Sequence, residues 1–96
     1  MAAYVIYNAD VTDPEQYELY KAQAAPLIAA HGGTYIVRGG DVDVLEGATP
    51  RGRTVVLEFP TMEAARGWYD SDGYRAARAL RENAATASAY IVDGVG

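Results

Sequence analysis

The sequence predicts an α+β fold in which one antiparallel sheet carries two helices on a single face. Three observations predict it. Short stretches rich in β-branched and aromatic residues alternate with longer stretches of helical period, in the order strand, helix, two strands, helix, strand. All of this is held in 96 residues, so residues 1–96 are expected to form a single domain. Half of the residues are hydrophobic and 22% are charged, a globular balance that supplies a core.

The first strand is read at residues 3–8, where Tyr4 and Ile6 alternate with Val5 and Tyr7, so that both faces are apolar. Asp13 then caps a helix with Pro14 at its first position and Gln16 at its third, the residue types that satisfy free backbone amides. Its buried stripe is Tyr17, Tyr20, Ala24, Leu27, Ile28 and His31. Pro26 lacks an amide hydrogen and predicts a kink or restart, and Gly32-Gly33 ends the helix. The second strand, residues 34–38, alternates Ile36 and Arg38 against Tyr35 and Val37. Residues 42–46 either prolong it past Gly39-Gly40 or form a short strand of their own, and residues 47–52 are a turn-rich loop. The third strand, residues 54–59, turns Val55, Leu57 and Phe59 to one side and Val56 to the other. Thr61 caps the second helix, whose stripe is Ala64, Ala65, Trp68 and Tyr69. Asp70-Ser71-Asp72-Gly73 interrupts it, and Ser71 caps a continuation through Tyr74, Ala77, Leu80 and Ala84. Residues 87–92 are the last strand.

A β-α-β-β-α-β order is that of the ferredoxin-like arrangement, with an antiparallel sheet and both helices on one side. The other side is then bare, although the first and third strands offer it apolar side chains. A second copy is the simplest cover, because a two-fold interface buries the same patch on both chains, and a homodimer is expected. The net charge of −5 argues against nucleic acid, and no apolar run approaches a membrane span. The N-terminus lacks the pattern of a secretion signal, so a cytoplasmic location is expected. With no cysteine and only His31, neither a thiolate nucleophile nor a multi-histidine metal centre can be built, and no cofactor is expected.

The segment Gly32-Gly33-Thr34-Tyr35-Ile36-Val37-Arg38-Gly39-Gly40, followed by Val44-Leu45-Glu46-Gly47, resembles the signature of the bacterial DUF1330 family. So does the later block Val55-Val56-Leu57-Glu58-Phe59-Pro60 with Ala64-Ala65-Arg66-Gly67-Trp68-Tyr69, Ser71, Tyr74 and Ala79-Leu80-Arg81. The resemblance spans nearly the whole chain and implies a dimeric α/β barrel. It implies no single activity, since the wider superfamily includes cofactor-free monooxygenases, haem enzymes, isomerases and simple binding proteins. One departure is Ala48-Thr49-Pro50, where the pattern tends to carry an aromatic residue that could wall a pocket.

Arg38 has the planar fork that suits a carboxylate, either of a ligand or of Glu46 or Glu58. Glu46 and Glu58 are read on strands, where a desolvated carboxylate serves as a general base or pairs with Arg38 or Arg53. His31 is either a catalytic imidazole or a helix C-terminal cap. Trp68, Tyr69, Tyr74 and Tyr20 are the aromatic set that lines a cavity or simply fills the core. Two functions follow from these residues. One is a homodimer, or a cofactor-free enzyme, that binds an anionic or enolic small molecule through Arg38; the other is a structural or interaction module without a ligand.

Overall fold

In the computed structural model, which describes residues 1–95, the chain forms β1 (Ala3–Val11), α1 (Pro14–Ala30), β2 (Thr34–Arg38), β3 (Arg53–Phe59), α2 (Met62–Asp70), α3 (Asp72–Arg81) and β4 (Ala85–Asp93). The strands lie in the order β2-β3-β1-β4, every neighbouring pair antiparallel. The expected ferredoxin-like α+β architecture is therefore present.

Local chemistry explains most boundaries. Asp13 Oδ1 accepts the Gln16 amide at 3.3 Å and starts α1. Gln16 does not complete the reciprocal cap: its amide Nε2 donates to the Leu80 carbonyl and ties α1 to α3, while the Asp13 amide is taken by Ala84. The helix is continuous through Pro26 rather than restarting there. Pro26 and Ala22, whose carbonyl loses its usual partner, are both exposed, so water can serve that carbonyl. At the other end Gly32 adopts φ +84°, and Gly33 lies where a Cβ would come within 2.7 Å of Ile28 and Phe59. Ser71 serves two helices at once: its Oγ donates to the Trp68 carbonyl that ends α2 and accepts the Tyr74 amide that begins α3. β1 and β4 run longer than their composition suggests because Asp10 and Val11 pair with Thr86 and Ala85.

Ala3, Val5, Tyr7 and Ala9 of β1 and Val55, Leu57 and Phe59 of β3 are buried under the helices. The opposite face carries Val37, Val56, Ile6 and Tyr90 in one continuous row across all four strands. Tyr90 is 61% exposed and Val37 39%, so this row is apolar and uncovered.

Two further expectations are corrected. Residues 42–46 form no strand, and Val42, Val44 and Leu45 lie exposed in the irregular stretch between β2 and β3. A bulge between Tyr35 and Val37 also breaks the alternation of β2. Tyr35 pairs with Leu57 and Arg38 with Val55, so Tyr35 and Arg38 share the helix-facing side while Val37 turns outward beside Val56.

Candidate functional site

The helix-facing side of the sheet encloses a cavity to which five of the candidate residues contribute. α1 supplies Tyr20, β2 supplies Arg38, α2 supplies Trp68 and Tyr69, and α3 supplies Tyr74. Its enclosed part measures about 30 Å³, room for about two water molecules. Counted out to solvent, the unfilled space is about 500 Å³.

The interior is a web of tyrosines. The Tyr7 and Tyr17 hydroxyls are 2.9 Å apart and those of Tyr20 and Tyr74 are 2.7 Å apart, each pair buried. Since one hydroxyl of a pair donates to the other, each pair keeps a further O–H able to donate onward. Burial, reinforced by the neighbouring tyrosines, pushes the Tyr7 and Tyr20 phenols well above their ordinary range, so both are neutral donors at neutral pH. Burial also raises Tyr35, with the Arg38 cation opposing it. Trp68 packs 4.2 Å from the Tyr74 ring and 5.4 Å from Phe59, and its indole Nε1–H is buried without an acceptor.

The rim is cationic. The Arg38 guanidinium lies 4.2 Å over the Tyr35 ring. Arg53 lines the same cavity, packs against Gly39, and has its Nε buried without an acceptor. Neither arginine forms an ion pair with a carboxylate among the described residues, and no carboxylate lines the cavity. The ion pair of Arg38 with Glu46 or Glu58 is thus not formed. Glu58 pairs in register with Tyr4 and Thr34 on the outer face, on the other side of the sheet from Arg38. There it raises the Tyr4 phenol by hydrogen bonding and by its charge.

Glu46 and His31 do not join the cavity. Glu46 is exposed in the stretch between β2 and β3, where no strand forms to desolvate it. His31 is the C-cap of α1, with its Nδ1 2.9 Å from the Leu27 carbonyl. Two cations at the site were not expected there from the sequence: Arg53, expected only as an ion-pair partner of Glu46 or Glu58, and Arg81. Arg53 shares the strand alternation of Val55 and Leu57, a signal available from the sequence. Arg81 falls on the buried stripe of Tyr74, Ala77 and Ala84, and its guanidinium carbon is 5.3 Å from the Tyr7 ring and 5.3 Å from the Tyr20 ring. Burial works against its charge, but the oxygens of Tyr7, Tyr74 and Tyr20 outweigh that and hold the proton more firmly. No cluster of three potential metal-ligating side chains occurs among the described residues.

A family model described as a domain of unknown function, DUF1330, matches residues 2–95. Protein YciI of Escherichia coli is 32% identical over 81 residues, which cover 77% of this chain and 83% of that protein. A Rhodopseudomonas palustris protein of unknown function is similar in structure with a TM-score of 0.74 at 17% identity, covering 99% of this chain and 83% of that one. SnoaB of Streptomyces nogalater, described as a cofactor-independent oxygenase, has a TM-score of 0.65 at 12% identity, covering 99% and 94%. A Thermobifida fusca protein described as dimeric and ferredoxin-like has a TM-score of 0.63 at 21% identity, covering 96% and 90%. At these identities the structural likeness is one of fold.

Proposed function

The chain belongs to the DUF1330 family, and from that premise we propose that it is a homodimeric small-molecule-binding protein whose cavity takes an anionic or enolic ligand. The observation that carries the reading is an imbalance of hydrogen-bonding groups. Arg53 Nε and the Trp68 indole N–H are buried without an acceptor, Arg38 beside them holds no carboxylate, and the cavity has no acidic residue to supply one. A ligand oxyanion satisfies them, and donors already aimed at a developing enolate oxygen are the kind of group that stabilises such charge without a cofactor. The fold is shared with a cofactor-independent oxygenase, an observation consistent with this chemistry. Because the enclosed space is water-sized, the charged group binds at the rim, and the body of a larger ligand enters by displacing rim side chains.

Dimerisation is the second part of the reading. The row Val37–Val56–Ile6–Tyr90 lies on the face away from the helices, so pairing covers it without blocking the cavity rim. A ligand-free structural module is favoured by one observation, the hydrogen bond that each buried tyrosine pair makes within the core. A thermal-shift screen with small carboxylates and β-dicarbonyl compounds separates the two. The binding reading expects stabilisation of the wild type that is lost in a folded Arg38→Ala variant. The structural reading expects no compound to stabilise either protein.

A further inference from the structure

On the outer flank of α3 a further depression, which shares Tyr69 with the central cavity, is lined by three cations. Arg75, Arg78 and Arg81 follow one another at intervals of three along the helix and line a cavity of about 390 Å³ with Tyr69. The depression is wide and open to solvent, so a ligand reaches it without displacing side chains. Glu82 also lines it and is its only acidic wall.

The clustering is unexpected in this protein. The chain has only 8 Lys plus Arg against 13 Asp plus Glu, yet three of those cations converge here. Lys21, Arg51 and Arg66 each hold a carboxylate, with Glu18, Asp10 and Asp70 respectively, whereas Arg75, Arg78 and Arg81 hold none among the described residues. Placement near the helix C-terminus favours cations in general, which accounts for basic residues in the last turn. It does not account for how they are held. The Arg78 guanidinium carbon lies 3.9 Å over the Tyr69 ring, a cation–π contact that holds the group in place. Arg81 lines the same depression while its guanidinium carbon is held 5.3 Å from both the Tyr7 and the Tyr20 ring, with its Nε buried and without an acceptor. Two of the three forks are thus set before any ligand arrives.

We propose that this cavity is a binding site for a phosphate-bearing small molecule, its phosphate group held by Arg75, Arg78 and Arg81. Three guanidiniums offset by one carboxylate leave an excess of two positive charges, which a phosphate monoester matches and a single carboxylate does not. Guanidinium forks also meet phosphate oxygens in pairs, and the Tyr69 ring and the small Ala79 and Ala85 side chains leave room for the organic part. The site shares Tyr69 with the central cavity but not Arg38, so its ligand is a different one from that proposed for Arg38.

The test is titration of the whole protein with phenyl phosphate, and in parallel with benzoate, at low ionic strength. Binding is followed by calorimetry and by the arginine Nε–Hε resonances in NMR. Saturable binding of phenyl phosphate is expected, with the Arg78 and Arg81 resonances moving along one isotherm, and benzoate at least about tenfold weaker. Arg75→Gln, which alters an exposed side chain, is expected to weaken phenyl phosphate about tenfold and leave the melting temperature unchanged. Arg38→Gln is expected to leave this affinity unchanged. The proposal is overturned if the Arg78 and Arg81 resonances show no saturable shift with phenyl phosphate, if benzoate moves those same resonances with equal affinity, or if that affinity is left intact by Arg75→Gln or abolished by Arg38→Gln.

Discussion

The Tyr20 hydroxyl lies 2.7 Å from that of Tyr74, joining the middle of α1 to the first turn of α3 inside the core. Removing one oxygen leaves the other buried without its partner, whereas removing both leaves two phenyl rings of nearly unchanged shape. Tyr20→Phe and Tyr74→Phe should each cost about 1–3 kcal/mol in urea unfolding, and the double variant should lose less than the sum. Full additivity would show that the two hydroxyls do not depend on one another.

The phenols of Tyr7 and Tyr20 titrate above their ordinary value of 10.0, chiefly because burial disfavours the phenolate. A raised pKa in the folded state means that the native protein holds these protons more tightly than the unfolded chain. The stabilisation is complete below about pH 10 and is lost as the pH rises beyond it. Absorbance titration at the phenolate band should therefore show exposed tyrosines ionising first, with the buried ones following only as the far-ultraviolet signal collapses. Smooth ionisation of all eight tyrosines in a protein that stays folded would contradict this.

Ile6 stands opposite Val56 on one side and Tyr90 on the other, at the centre of the uncovered face. Sedimentation equilibrium at micromolar concentration should give twice the chain mass of 10.3 kDa. Val56→Lys, which places a charge in that row, should shift the mass toward the monomer, because an unpaired charge is costly in a buried interface. A wild-type mass of one chain would remove the dimer from the account.

Arg38 is exposed and holds no carboxylate, so Arg38→Gln should change stability by no more than about 0.5 kcal/mol. Chemical denaturation measures this directly. A loss of several kcal/mol would mean that the guanidinium supports the fold.

The order of elements was legible because Tyr4, Ile6, Val55 and Leu57 show the period of a strand and Tyr17, Tyr20, Ala24 and Ile28 that of a helix. The caps Asp13, Thr61 and Ser71 were legible for a similar reason, since each acts within three residues of its own position. What escaped depends on distant partners. The face taken by Arg38 turns on a bulge against β3, which strict alternation along β2 cannot reveal. Residues 42–46 have strand-like composition but find no neighbouring strand. Within the site, Trp68, Tyr69, Tyr74 and Tyr20 pack against one another, as aromatic spacing along α1, α2 and α3 suggests, whereas joining Glu46 to them rests on the strand that residues 42–46 do not form. Arg81 was passed over because a cation on a buried stripe makes sense only once the tyrosine oxygens around it are known.

The protein has one tryptophan, so its indole N–H gives one NMR resonance, reporting from a buried donor without an acceptor on a residue that lines the central cavity. Titration with acetoacetate, a small carboxylate that also enolises, tests the anion-binding reading at that atom. The account predicts a saturable downfield shift of the Trp68 Nε1–H signal as it gains an acceptor, abolished in Arg38→Gln. A resonance that stays fixed while the Arg38 and Arg53 signals also remain unmoved would contradict it.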